Sequence, residues 1–441
     1  MVIGMRDWSE CVVYYPLIRH PLFDEKEELK RKYIALMKKY AEKYEIEEKR
    51  ISGLQMLLQV MFGEGNTDLP WQGDTNQEEA EVLKTRFSPF KFFSYRYLFL
   101  FDCLMLFAVS DNRKGERICE EFKGHIHRRY HKKIDAMVSM MYSGNEKFAE
   151  KTLISIDMVK AWMDARKHAQ SREHSVFFTA TMSAGKSTLI NSIIGEDLSG
   201  TKKAACTSNI IKFHAAPNRN NIYTIINADG EHYLREAGPV PEYIRNSAQQ
   251  IDIVGYFSSV LHEGKYTLVD TPGVNSSLNP QHKQLTRKEL SDNNPEVLVY
   301  VIPVDTYGSE DDYNHLKYIL KKVLYGRIIF VVNMMDTYDP EDDSVDGILQ
   351  DIRSHLSEIG FENPMVCPIS AKAGLLIKKM VQNTAMTENE RERAEDFMKL
   401  FSKAEYDFGK YYPLVTNEGG DYNRALLSTG LPGLEQVLFG L

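Results

Sequence analysis

Apolar residues follow one rhythm in the first third of the chain and another after it. Near the start, Leu29, Tyr33, Leu36 and Tyr40 return every three or four positions among Lys and Glu, which predicts helix across 20–60. The stretch from Gly63 to Glu79 is polar and acidic, contains Pro70, and reads as an exposed loop. Helices are expected again over 90–110, 114–142 and 145–172, the last with Phe148, Ile156, Val159 and Met163 near one stripe. Tyr97 to Val109 is the most apolar run, but Asp102 interrupts it and it is shorter than the ~18 residues that would cross a bilayer, so it predicts a buried core helix.

From residue 174 the pattern changes to short apolar runs alternating with amphipathic ones. Strands are expected near 174–180, 266–270, 297–303, 328–333 and 365–369, with helices near 185–195, 280–291, 309–324 and 343–358. Such alternation builds a mostly parallel sheet covered on both faces. The expected architecture is an all-α domain over 1–173, ending in a helix that runs directly into the first strand, followed by an α/β domain over 174–441. The charged stretch 382–396 reads as a solvated helix face rather than a binding element.

The ends of the expected strands carry the chemistry. His174 to Thr179 leads into Ala180-Thr-Met-Ser-Ala-Gly-Lys-Ser-Thr188, a strand, a tight loop of small residues and a helix start. Backbone N–H groups at such a junction converge on phosphates, with Met182, Ser183, Ala184, Gly185 and Thr188 lining the cradle. Lys186 supplies a point charge to the β- and γ-phosphate oxygens, and the Ser187 hydroxyl is placed to ligate Mg²⁺. Ala180 stands where this pattern usually has Gly, a small cost if the backbone there keeps negative φ.

Four further elements follow in order. Thr207 lies 21 residues after Lys186 and offers a second hydroxyl to the metal. Tyr266-Thr-Leu-Val-Asp270-Thr-Pro-Gly273 ends a strand in Asp-x-x-Gly, where Asp270 can hold a metal-bound water and the Gly273 N–H can sense a γ-phosphate. Ile328 to Asn333 ends another strand in Asn333-Met-Met-Asp336, and Asp336 can accept two hydrogen bonds from a guanine edge that adenine does not offer. Ser370, Ala371 and Lys372 then close on the other side of the base. Each fragment alone recurs in ordinary turns. Together, in order and at strand ends, they predict a guanine-nucleotide site, because open α/β sheets bind ligands at the carboxyl ends of their strands.

Asp270 lies 63 positions after Thr207, and the interval includes Ile210 to His214, Ile222 to Ile226 and a helix expected near Pro241 to Gln250, a structured enlargement of the sheet. That enlargement, with Thr-Met-Ser-Ala-Gly-Lys-Ser-Thr188, Cys206-Thr207 and Asp270-Thr-Pro-Gly-Val-Asn-Ser-Ser277, resembles the dynamin superfamily, and most of all the bacterial dynamin-type large GTPases, over about residues 174–441. The resemblance implies hydrolysis of GTP to GDP and phosphate with Mg²⁺, with Lys186, Ser183 and Thr207 in catalytic positions. It also implies a homodimer formed across the nucleotide, and peripheral contact with a membrane. Two positions depart from the family: Met182 stands where eukaryotic dynamins have a water-orienting Gln, and Met334 where the fourth motif has Lys. A slow or non-hydrolysing regulatory module, recruiting a partner through the helical domain, is the alternative that those positions sustain. The resemblance further implies a long helical stalk with a lipid-binding tip, and no segment of this sequence reads as one.

Five scattered cysteines, none spaced as Cys-x-x-Cys, exclude a disulfide framework or zinc ribbon and fit a reducing cytoplasm. Net charge is −8, divided as about +2 over residues 1–173 and about −10 over the rest, a balance that does not predict nucleic-acid binding. Arg113 to Lys133 is the local exception, with eight Lys or Arg, three Glu, and His125, His127 and His131. It reads first as a solvated basic face, then as an anionic-lipid or RNA contact, and least as a metal site. Trp71 and Trp162 read as packing residues.

Overall fold

The computed structural model describes residues 22, 25–43, 89–124, 126–143, 156–199, 209–218, 222–228, 230–234, 236–247, 250–258, 264–274, 280–413 and 421–439. Thr207, His125, Trp71, Phe148, the 63–79 stretch and residues 275–279 lie outside them.

The helical region comprises α1 (Glu27–Lys43), α2 (Pro89–Ala108), α3 (Asn112–Gly124), α4 (His131–Ser143) and α5 (Ile156–Gln170). Helix α2 is the expected core helix: Leu100, Phe101, Leu104 and Met105 are fully buried. So is Asp102, whose Oδ2 accepts a hydrogen bond from the Tyr33 hydroxyl at 2.5 Å. Tyr33 and Tyr40 of α1 both meet the Phe99 ring edge-on, at 5.1 and 5.5 Å, which packs α1 against α2. Trp162 of α5 is fully buried and donates from Nε1 to the Met141 carbonyl at 2.7 Å, so it is a packing residue. Burying a side chain of that size contributes on the order of 2–3 kcal/mol.

The single helix expected over 114–142 is two helices. Helix α3 ends at Gly124, and His127 takes an extended conformation (φ −60°, ψ 134°) to cap a short 3₁₀ turn, Arg128–Tyr130, from which α4 departs. A glycine followed by a side chain able to accept from the backbone competes effectively with helix continuation. Within the other two expected spans, α1 and α5 are helical, and residues 44–60 and 145–155 lie outside the described set.

Among the described residues the second region is one nine-stranded sheet with helices on both faces. Its strands are β1 (Glu173–Ala180), β2 (Ile211–Ala215), β3 (Tyr223–Asn227), β4 (Gly230–Leu234), β5 (Ile251–Gly255), β6 (Lys265–Asp270), β7 (Val297–Pro303), β8 (Arg327–Asn333) and β9 (Val366–Pro368). They are ordered β4-β3-β5-β2-β6-β1-β7-β8-β9. From β6 to β9 all neighbours are parallel. Every residue of β7, Val-Leu-Val-Tyr-Val-Ile-Pro, is buried, as a central parallel strand requires. The enlargement joins antiparallel to β6 through β2, then adds β5, β3 and β4. The sequence pattern pointed to β2 and β3; β4 and β5 are additional.

The helices of this region are α6 (Lys186–Ile194), α7 (Val240–Asn246), α8 (Pro280–Asn293), α9 (Glu310–Lys322), α10 (Val345–Ile359), α11 (Ala371–Val381), α12 (Glu388–Leu400), α13 (Asp421–Ser428) and α14 (Leu431–Phe439). The charged 382–396 stretch forms most of α12, opened by a Thr387/Glu390 capping box, with Ala394 buried and Glu390 paired to Lys379 of α11 at 3.4 Å. The helical region packs on the enlargement: His168 of α5 donates from Nε2 to the Ala215 carbonyl at 3.0 Å, and Ile222 and Tyr233 join the helical core.

Candidate functional site

The carboxyl ends of β1, β6 and β8 bring three loops together. Strand β1 is buried from Val176 to Ala180, and its chain then turns through residues 181–185 into α6. Two residues of that turn sit in the left-handed region, Ser183 (φ 65°) and Gly185 (φ 79°). At Gly185 a side chain is excluded twice: φ is positive, and a Cβ would lie 2.3 Å from Asn333 Nδ2. Ser183 is exposed at the crest of the loop, Met182 and Thr188 are half-buried, and Ala184 is buried.

Asp270 closes β6 and is fully buried. The Lys186 ammonium contacts its Oδ1, while the hydroxyls of Ser187 and Ser199 each donate to Oδ2 at 3.1 Å. Desolvation of Lys186 pulls its pKa down to about 7, and the Asp270 carboxylate is the anion its ammonium meets here. The loop after Asp270 is fastened to β1. Thr271 Oγ1 donates to the Phe178 carbonyl at 2.7 Å, and the Val274 N–H donates to the Ala180 carbonyl at 3.0 Å. Gly273 stands so near the phosphate loop that a Cβ there would lie 3.2 Å from Met182 Cγ and 3.3 Å from its Cα.

On the other flank, Asn333 is buried at the end of β8. Its Nδ2 donates to the Ala184 carbonyl at 3.1 Å and its Oδ1 accepts from the Ala371 N–H at 3.0 Å. Met334 follows in the left-handed region (φ 67°) and turns the chain into a short 3₁₀ segment holding Asp336. Asp336 Oδ1 accepts from the Ser370 hydroxyl at 2.6 Å. Ser370 Oγ also accepts from the Ala373 N–H at 3.2 Å and so caps α11, leaving Lys372 exposed on its first turn.

The structure therefore gathers Met182 to Thr188, Asp270, Gly273, Asn333, Asp336 and Ser370 to Lys372 around one edge of the sheet. Thr207 lies outside the described residues. Ser199 was not among the expected residues: no motif marks it, and it reaches Asp270 because Asn191 of α6 grips its backbone through two hydrogen bonds, at 2.8 and 2.9 Å. Thr179, at the base of the loop, is hydrogen-bonded to the buried His315 at 2.8 Å, a second contact that sequence spacing does not disclose.

The residues present fit a magnesium-bound nucleotide. The Ser187 hydroxyl and an Asp270 carboxylate oxygen lie within 3.1 Å of each other, both hard oxygen donors of the kind Mg²⁺ takes. The His127 and His131 pair is engaged elsewhere: His127 Nδ1 accepts from the Arg129 N–H at 3.3 Å, and His131 Nε2 donates to the Ile126 carbonyl at 3.0 Å. Among the described residues no cluster of three or more His, Cys, Asp or Glu side chains is placed to hold a metal ion. Nor is any described helix long and apolar enough to cross a membrane.

Comparison with known proteins gives one family: the model for the dynamin family matches residues 176–335. Dynamin-like protein A of Bacillus subtilis is similar at 25% identity over 175 residues. The match takes in 39% of this chain but only 14% of that relative's length. Among solved structures, a bacterial dynamin pair, described as oligomerised and as sensing and tethering membranes at long range, is 14% identical with a TM-score of 0.37. That likeness covers 86% of this chain and 68% of the other. Era from Aquifex aeolicus, bound to GDP and AlF4⁻, is 18% identical with a TM-score of 0.28 over 49% of this chain and 58% of its own.

Proposed function

We propose that this chain, whose residues 176–335 match the dynamin family model, binds GTP with Mg²⁺ and hydrolyses it to GDP and phosphate, self-associating as the nucleotide state changes. In this reading residues 1–173 form the helical domain and 174–441 the GTPase domain. The observation that supports it most is the meeting at Asp270: Lys186 and Ser187 from the phosphate loop and the carboxylate from β6 lie in direct contact.

Each residue then has a part. Lys186 exchanges its carboxylate contact for β- and γ-phosphate oxygens and absorbs charge that develops there. Ser183, at the loop crest, donates to the same phosphates. Ser187, Asp270 and Thr207 would hold Mg²⁺, which would supply positive charge to offset that of the phosphates. The Gly273 N–H, packed against Met182, registers whether a γ-phosphate is present. Asp336 accepts from the guanine edge while Ser370 fixes its carboxylate, and Ala371 and Lys372 flank the base. Asn333 contacts backbone on both sides and acts as a positioning residue.

A second reading is a slow or non-hydrolysing module whose helical domain recruits a partner in the GTP state. Met182 and Met334 favour it, because neither side chain can orient water or lay a cation against the base. Turnover per molecule, measured against protein concentration, separates the two. A rise on self-association supports the enzyme; a flat, very low rate supports the module. Light scattering with GDP and with a GTP transition-state mimic tests the assembly itself, with monomer expected in the first and dimer in the second.

A further inference from the structure

We infer, resting on the nucleotide reading above, that Ser199 is a positioning residue of the Mg²⁺ site: its hydroxyl keeps the Asp270 carboxylate in place when Lys186 leaves it for phosphate. Asp270 is fully buried and Ser199 nearly so. A carboxylate shut away from water needs donors on its oxygens, and each one lost is costly. Among the described residues three groups donate to it. The Lys186 ammonium meets Oδ1, and the hydroxyls of Ser187 and Ser199 both reach Oδ2 at 3.1 Å.

Two of those three have other work in the GTP state. Lys186 turns to the phosphate oxygens, and the Ser187 oxygen turns to the metal. Asp270 then loses its lysine, and the Ser199 hydroxyl is the donor that stays with the carboxylate and fixes which way its oxygens face. Metal affinity depends on groups of this kind, which touch the ligand and not the ion.

The fold secures Ser199 for that part. Ser187 and Asn191 are four residues apart on α6 and share one face of the helix. Asn191 is fully buried and spends its whole amide on the Ser199 backbone: Nδ2 donates to the carbonyl at 2.9 Å, and Oδ1 accepts from the N–H at 2.8 Å. Just before it, Leu198 is fully buried and Asp197 is paired with Lys379 of α11. These contacts place the main chain without help from the hydroxyl, so the hydroxyl can be removed with the backbone still held.

The test is a Mg²⁺ titration of the binding of a fluorescent GTP analogue to the full chain. Ser199→Ala should match wild type in circular dichroism and in nucleotide affinity in excess EDTA. Its Mg²⁺ concentration at half-saturation should rise about tenfold, the loss of one hydrogen bond to a buried charged ligand. Should that variant fail to fold, Ser199→Cys, a weaker donor, is to show a smaller shift in the same direction. An unshifted Mg²⁺ midpoint in the folded variant, or a loss of nucleotide affinity that is equal with and without Mg²⁺, overturns the proposal and leaves the nucleotide reading standing. Wild-type protein that binds no GTP analogue, or binds it without response to Mg²⁺, overturns both.

Discussion

Asn333 and Ala184, 149 positions apart, are joined by a 3.1 Å hydrogen bond from the asparagine Nδ2 to the alanine carbonyl. The same side chain holds Ala371 through its Oδ1, so one amide fixes the phosphate loop against the base-side loop. Its two ends have opposite hydrogen-bonding character, and both partners are backbone groups that cannot reorient. An amide suits that site and a carboxylate does not.

Asn333→Asp should therefore keep the bond to Ala371 and turn the other into a repulsion between oxygens. The cost is about 1–3 kcal/mol for the buried group left without a donor. We expect a lower melting temperature and at least about a tenfold loss of GTP affinity. Calorimetry and a nucleotide titration on the same preparation check both; wild-type values for the two would refute the positioning role.

Asp336→Asn exchanges a double acceptor for one acceptor and one donor. Guanine should be rejected and xanthine favoured, at about 1–3 kcal/mol per mispaired group. The Ser370 contact at 2.6 Å makes this sharper, because it fixes which carboxylate oxygen faces the base. Competition between GTP and XTP for the variant reads the outcome, and an unchanged preference for GTP would remove Asp336 from the base site.

The parallel half of the sheet and the three loops at its edge were legible because they depend on local pattern: a buried run, then a small or polar residue where the strand ends. Asp270, Asn333 and Asp336 announce themselves that way. Ser199 does not, since its place is set by Asn191 from a neighbouring helix. Strands β4 and β5 do not stand out because β4 opens on Gly230 and Glu231, and β5 is interrupted by Asp252 and closed by Gly255, residue types that are depleted in strands. In the helical region the continuous pattern over 114–142 hid a break that Gly124 and the capping ring of His127 impose.

Acid should destabilise the fold through its buried histidines. Burial, with Arg287 and Lys283 nearby, pushes His315 down to about 3, and burial pushes His168 to about 4. Below about pH 6.5 the unfolded chain takes up protons that the folded chain refuses, so stability is full above that value and falls as pH drops towards 4 and 3. The slope approaches about 1.4 kcal/mol per pH unit for each group. His315→Gln cannot be protonated, so its acid limb should be shallower than that of wild type in melting temperature against pH. Superimposable limbs would mean that His315 titrates normally in the folded state.

The central claim is a guanine-nucleotide site built on Lys186, and titration calorimetry of Mg-GTP and Mg-ATP into wild type and Lys186→Ala tests it most directly. Wild type should bind GTP and not ATP. The variant should remain folded by circular dichroism and lose GTP affinity by several kcal/mol, on the order of a hundredfold or more, because one cation facing a multiply charged phosphate chain is gone. GTP affinity unchanged in Lys186→Ala, or ATP bound in preference by wild type, would contradict it.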